Sequence, residues 1–578
     1  METTYINPGQ REIEILESNG CRASDWKLVH LNPHTDFQRF RNVTFEGENS
    51  VGFLSAADSL IENAVLKNCN VGDDVRIRNI GRALINCRIG RGVRIENTAS
   101  VEFEPGAQCG IGVEVGVLDE TGSRSVTIFP GMTAQLALLM AREPRWHENH
   151  FRNILSEYLD SRHFFVGIGE GARIVDCGSL FNVSVGNEVT VKGARILKNG
   201  SIVNNAAPGR CLAFVGAGVD AENFIVEDGI LDSGCIVRNC FIGQGASLEK
   251  GFSAHDSLFF ANCSFENGEA CAVFAGPYSV SMHKSTLIIG CQTSFMNAGS
   301  GTNQSNHMYK LGPVHWGILE RGVKTSSGSY LMLGAKIGTF SLLMGQHKTH
   351  PDSSQFPFSY LFGDDRGATV VVPGVMLRSC GLMRDEQKWP ARDRRVKRKL
   401  PLHDRVIFDV LNPLTVEAML TALDVINDLL SRPADDDRYL RYRGMRFTRA
   451  SLERARHLYT LAIYKYLWLR TSEHGFPVRE SDAEPAEWVD MAGLIIPRSY
   501  LNKALAEESV EGIRDIFDAA FRHYPNLERA WIASRFSDDW NKPAEVISAY
   551  AADFDHMIED DRKRYLDELA AQNDMLRL

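Results

Sequence analysis

No Cys-x-x-Cys pair occurs among the twelve cysteines of this 578-residue chain, which leaves no paired-cysteine spacing of a structural zinc site or dithiol centre. Buried, reduced thiols are the expected state. Long apolar runs are also missing: the stretch around "LALLMA" at 136–141 falls far short of the roughly 20 residues needed to span a bilayer. The opening "METTYINPGQREIEILE" has neither the basic segment nor the apolar core of a secretory signal. A cytoplasmic protein without a membrane partner is expected. Positive charge is in deficit, at a net −10, so there is no general case for nucleic acid. What the chain does have is 44% hydrophobic and 24% charged residues, enough for two or three domains with proper cores.

It also repeats itself. Residues 68–77 read "NCNVGDDVRI", 86–95 read "NCRIGRGVRI", and 239–248 read "NCFIGQGASL". Stepping by six gives Val65, Val71, Ile77, Ala83, Ile89, Ile95 and Val101, with a second small or apolar column at Cys69, Val75, Gly81, Cys87, Val93 and Ala99. Neither a helical period nor simple strand alternation produces this beat. A prism of short parallel strands and tight corners does, three hexads to a coil, its inward columns stacking into a continuous core. Val71 and Ile89 are expected to point inward and Arg76 outward, where substitution is expected to be nearly silent.

These units, "VGDDVR", "IGRGVR", "VGNEVT" and "IGQGAS", resemble the hexapeptide-repeat proteins, which implies a mainly β fold built on a left-handed parallel β-helix. With "DETGSRSVTIFPGMTAQLALLMA" and "GSGTNQSNHMYKLGPVHWG" included, the chain is similar to a long bacterial hexapeptide family described as a domain of unknown function. The resemblance also implies a homo-oligomer, trimer ahead of dimer.

The beat stops near Val101 and resumes near Val166. The expected organisation is an N-terminal cap over 1–45, a first β-helix segment over 46–105, and a strand and helical insertion over 106–165. A second β-helix segment follows over 166–375, then a basic linker over 376–405 and an α-helical domain over 406–578, whose first stripe runs from Val416 to Leu430 behind an "NPLT" start.

Function is sought where the repeat breaks, in 299–350, which holds His307, His315, His347 and His350 beside Asn303, Gln304, Asn306, Lys310, Lys324, Ser326, Ser327 and Lys348. Amide, ammonium and hydroxyl groups suit a sugar or nucleotide-sugar substrate. By resemblance to hexapeptide acyltransferases, His307 or His315 is the expected general base, with acyl-CoA as co-substrate and the other polar residues binding substrate. Two alternatives stand beside it: a binding or scaffold protein without turnover, and a γ-carbonic-anhydrase-like metal site using His315, His347 and His350, whose "HKTH" spacing departs from that family. Asp364 and Asp365 either hold Mg²⁺ or cap a turn. The stretch 384–405, with nine Lys or Arg against four acids, either clamps phosphates or is a solvated linker.

Overall fold

A computed structural model describes residues 5–119, 122–305, 316–433, 438–473, 475, 486–536, 540 and 542–575. Its body is a parallel β-solenoid whose strands pair from coil to coil. One inward column runs Leu31, Val51, Val71, Ile89, Ile168, Val185 and Ile202. A second runs Ile61, Ile77, Ile95, Ile174 and Val191, and a third Leu66, Leu84, Val101, Leu180 and Leu197. All of these side chains are buried. The insertion between 101 and 168 therefore leaves the stacking intact, since Ile89 is bridged directly to Ile168.

The strict six-residue count needs one correction. Val65 and Ala83 are only half-buried, and Leu66 and Leu84 take the inward places on the third face. Gly81 and Ala99 likewise stay outside the core. The corner after Ile61 is shorter than the corner after Ile77, and a parallel ladder fixes the register of strands, not the length of corners.

Asparagine recurs at the corners of the prism for a physical reason. Asn63, Asn79 and Asn97 adopt φ of 51°, 54° and 50°, a left-handed conformation that asparagine tolerates better than most residues. Their amides form a ladder along the prism, Asn63 donating to Asn79 at 2.9 Å, Asn79 to Asn97 at 3.1 Å and Asn97 to Asp176 at 2.9 Å. Asn68 and Asn86 turn another corner in the same way. The cysteines that follow them point inward, where the Cys69 and Cys87 thiols donate to Leu84 O and Val101 O, each at 3.2 Å. All twelve cysteines are free.

The insertion lies along one outer face of the solenoid. Gly110 N donates to Asn199 Oδ1 at 2.8 Å and Leu118 N to Ala272 O at 2.8 Å. Its helix Ala134–Arg142 is capped by Thr133 and buried from Ala134 to Ala141. The outward column on the covered face is accordingly apolar through Ile225, Phe241, Leu258 and Phe274, and is then mixed, with Gln292 and Lys336 on either side of Ile318.

Beyond 372 the chain is mostly helical. Its main helices are Pro413–Ser431, started by a capping box at Asn412, then Arg449–Thr471, Arg498–Leu505, Val510–Arg535 and Ala544–Met575. The strand Met445–Phe447 pairs with Thr369–Val372 and so extends the solenoid sheet from within this region. A hairpin, Trp488–Met491 with Leu494–Pro497, reaches back to the insertion, where Gln135 donates to Met491 O at 3.2 Å. Insertion and C-terminal region thus form one layer against the solenoid. The basic stretch is docked through part of its length, with Arg392 and residues 396–399 exposed: Asn262 donates to Asp393 at 2.9 Å, Arg395 is buried against Asp393, and the Ala134 and Ala261 amides both donate to Asp404. Among the described residues, no helix is long and apolar enough to cross a membrane.

Candidate functional site

Of the residues singled out in 299–350, Asn306, His307, Lys310 and His315 lie outside the described residues. The others are spread along the solenoid. Gln304 and His347 stand in the inward column of the third face, in register with Leu331 between them. Both are buried, and among the described residues neither amide atom of Gln304 has a partner. His347 Nδ1 meets Thr369 Oγ1 at 2.9 Å, and burial pulls the imidazole down to about 4, so it is neutral at pH 7. Asn303 lies next to Gln304 on the same strand. Ser326 is bonded to Ser329 at a corner, and Lys324 is paired with Asp385. Lys348 and Ser327 are exposed, and His350 makes a 2.6 Å contact with Leu333 O. Among the described residues, no three His, Cys, Asp or Glu side chains converge to hold a metal. Asp364 caps its own turn, accepting from the Arg366 and Ala368 amides, and pairs with Arg446 at 2.5 Å.

A different constellation does converge. Where solenoid, insertion and C-terminal hairpin meet there is a cavity of about 450 Å³. Arg124 and Arg142 come from the insertion, Gln292, Trp316, Glu320, Arg321, Lys336 and Thr339 from the solenoid, and Trp488, Asp490 and Arg498 from the C-terminal region. The insertion side is held by backbone capture: Arg124 donates to Ala141 O at 2.8 Å and stacks 4.5 Å over Trp316. Arg142 donates to Gln292 Oε1 at 2.8 Å, and burial pulls its guanidinium down against the opposing pull of Asp490 and Glu320.

Glu320 and Arg321 occupy a tight corner of the solenoid between the strands Gly317–Leu319 and Lys324–Thr325. The Glu320 side chain is 22% exposed and lies 3.5 Å from Lys336 Nζ. Burial, with a contribution from the Asp490 charge, pushes its carboxyl up to about 7 despite Lys336 and Arg142. It therefore changes protonation near neutral pH, as a general acid or base must. The Arg321 side chain is fully buried, with Nη1 3.2 Å from Gly493 O and 3.4 Å from Asp490. Among the described residues its Nε and Nη2 have no hydrogen-bond partner, and neither do Thr339 Oγ1 and Trp488 Nε1 around the same cavity. Unmet buried donors cost about 1–3 kcal/mol each, so three donor-only atoms packed behind the lining make this wall of the cavity costly to the fold.

Sequence reading missed this site because a Glu-Arg pair before a corner glycine looks like a solvated turn. The signal available was that one chain segment, "ILERGVKT", carries both charges where the repeat turns.

The chain belongs to the family described as Domain of unknown function (DUF4954), whose model matches residues 5–430. A second, also described as a Domain of unknown function (DUF6819), matches residues 478–570. All of the solenoid and insertion residues of the cavity fall in the first match, and Trp488, Asp490 and Arg498 fall in the second. An uncharacterized protein of Treponema pallidum (strain Nichols) is 24% identical over 457 residues, covering 73% of this chain and 61% of that relative's length.

Proposed function

We propose that the protein is a transferase that binds a small anionic, hydroxyl-rich acceptor, a phosphorylated or carboxylated sugar, in the junction cavity. The observation that carries this reading is the placement of Glu320, ionisable near neutral pH, in the cavity lining beside Lys336 and Arg142. Arg142, Arg124 and Lys336 supply cationic contacts for an anionic group among the carboxylates of Glu143, Glu487 and Asp490, and Trp316 supplies an aromatic surface for a sugar ring. Glu320 takes the proton from the reacting hydroxyl, the role that the resemblance to acyltransferases gives to a histidine. An acyl-CoA donor, the left-handed hexapeptide form of the solenoid and a homo-oligomer belong to the same reading.

Thermal shift of the full chain with glucose 6-phosphate, glucuronate and glucose tests the ligand class. The two anionic sugars are expected to raise Tm and glucose is not. Equal shifts for all three, or none, would sink this reading. The chemistry is tested by free thiol released from acyl-CoA in the presence of the sugar that binds. Glu320→Gln should keep the thermal shift and lose thiol release by roughly 10²-fold or more. Undiminished release removes Glu320 as the base, and binding without release in the wild type favours a binding protein without turnover.

A further inference from the structure

A second concavity, of about 580 Å³, lies between the helix Cys380–Ala391 and the flank of the solenoid. Its lining carries Lys324, Arg384, Lys388, Arg392, Arg394 and Lys397, with Asp385 as its one acid. Part of that charge is already engaged. Lys324 pairs with Asp385 at 2.5 Å and Arg384 with the same carboxylate at 3.6 Å. Arg394 is held by Gly245 O at 2.9 Å and by the Ser247 and Ser264 hydroxyls at 3.2 Å each. Lys388, Arg392 and Lys397 have no ion-pair partner among the described residues. Burial, reinforced by repulsion from Arg392, Arg384 and Lys324, pulls the Lys388 ammonium below its ordinary range.

Such a concentration of like charge repels itself, and it stands in a chain of net charge −10. An incoming polyanion relieves that repulsion. The groove is also apolar on one side, where Val280 and Met296 line it and Met282 is 44% exposed. We infer that this groove binds a small molecule carrying two or more linked phosphates, held by Lys388, Arg392 and Lys397, with its organic portion against Met282 and Met296. Arg392 offers one forked contact and Lys388 and Lys397 two point-charge contacts, a set that suits two linked phosphates. The bounded volume and the negative charge of the rest of the chain favour a small ligand over a nucleic acid strand. The site is independent of the cavity reading above, although Phe295 lines this groove while Arg321, stacked on it, lines the cavity.

Titration calorimetry of the full chain at fixed ionic strength, with inorganic pyrophosphate, orthophosphate and a short single-stranded oligonucleotide, tests it. Pyrophosphate is expected to bind about tenfold or more tighter than orthophosphate. The double variant Lys388→Gln/Arg392→Gln should weaken pyrophosphate about tenfold or more at unchanged Tm, and Lys397→Gln should weaken it to a smaller degree. Arg321→Met, which alters the cavity, should leave pyrophosphate binding unchanged, so that the two sites fail or succeed separately. Pyrophosphate binding no tighter than orthophosphate, equal binding by wild type and double variant, or binding of the oligonucleotide in place of pyrophosphate would each overturn the inference.

Discussion

The guanidinium carbon of Arg321 lies 4.3 Å from the centre of the Phe295 ring, placing a fully buried cation on an aromatic face between the junction cavity and the basic groove. The stack holds the guanidinium in place while two of its nitrogens stay without partners among the described residues. Arg321→Met keeps the ring contact and removes the unmet donors, while Asp490 keeps the Gly493 amide at 2.6 Å. The expected change in unfolding free energy is within about 1 kcal/mol. A loss of about 3–5 kcal/mol by chemical denaturation would instead mark Arg321 as the structural counter-ion of Asp490.

Glu320 makes stability depend on pH in a defined window. Its folded carboxyl titrates at about 7, above the ordinary 4.5, so the folded state holds a proton that the unfolded chain has released. Stability from this group is intact below pH 4.5, falls as the pH rises from 4.5 to 7 and is flat above. Glu320→Gln should therefore gain Tm relative to wild type progressively across that window. A difference in Tm that does not change between pH 4.5 and 7.5 would contradict the shifted carboxyl.

Gln304 stands in its inward column between two apolar neighbours in register, Ile288 and Leu331. Because neither amide atom has a partner among the described residues, Gln304→Leu should be neutral or stabilise the fold by about 1–2 kcal/mol. A loss of about 2 kcal/mol or more on urea unfolding would show that the amide is satisfied in solution.

The repeat register is tested by a pair of variants. Val71 is fully buried, so Val71→Asp should cost about 3 kcal/mol or more. Arg76 is not the indifferent outer residue that hexad counting suggests: it bonds Glu96 at 2.5 Å and Asp58 O at 2.9 Å, with its side chain only 21% exposed. Arg76→Asp removes these contacts and sets a carboxylate beside Glu96, at a cost of about 1 kcal/mol. Equal midpoints in urea for the two variants would refute the inward assignment of Val71.

The coil was legible in the sequence: the eighteen-residue echo, the inward places of Val71, Ile77, Ile89 and Ile95, and the break at 101, with a resumption read near Val166 that the structure puts at Ile168. That was legible because each coil touches only its neighbours, so local period and spatial register are the same information. Corners were less legible, since the ladder leaves their length free, and Leu66 displaced Val65 for that reason. Past residue 299 the count fails, and residues that look like exposed polar loop, Gln304 and His347, lie inside the prism. Only the tertiary structure decided the candidate site. Arg142, Glu320 and Asp490 are far apart along the chain, and what makes Glu320 titrate near neutral pH is the insertion and hairpin laid over a solenoid corner. A charged pair at a turn reads the same in sequence whether water or protein covers it, and desolvation, which sets its chemistry, depends on the cover alone.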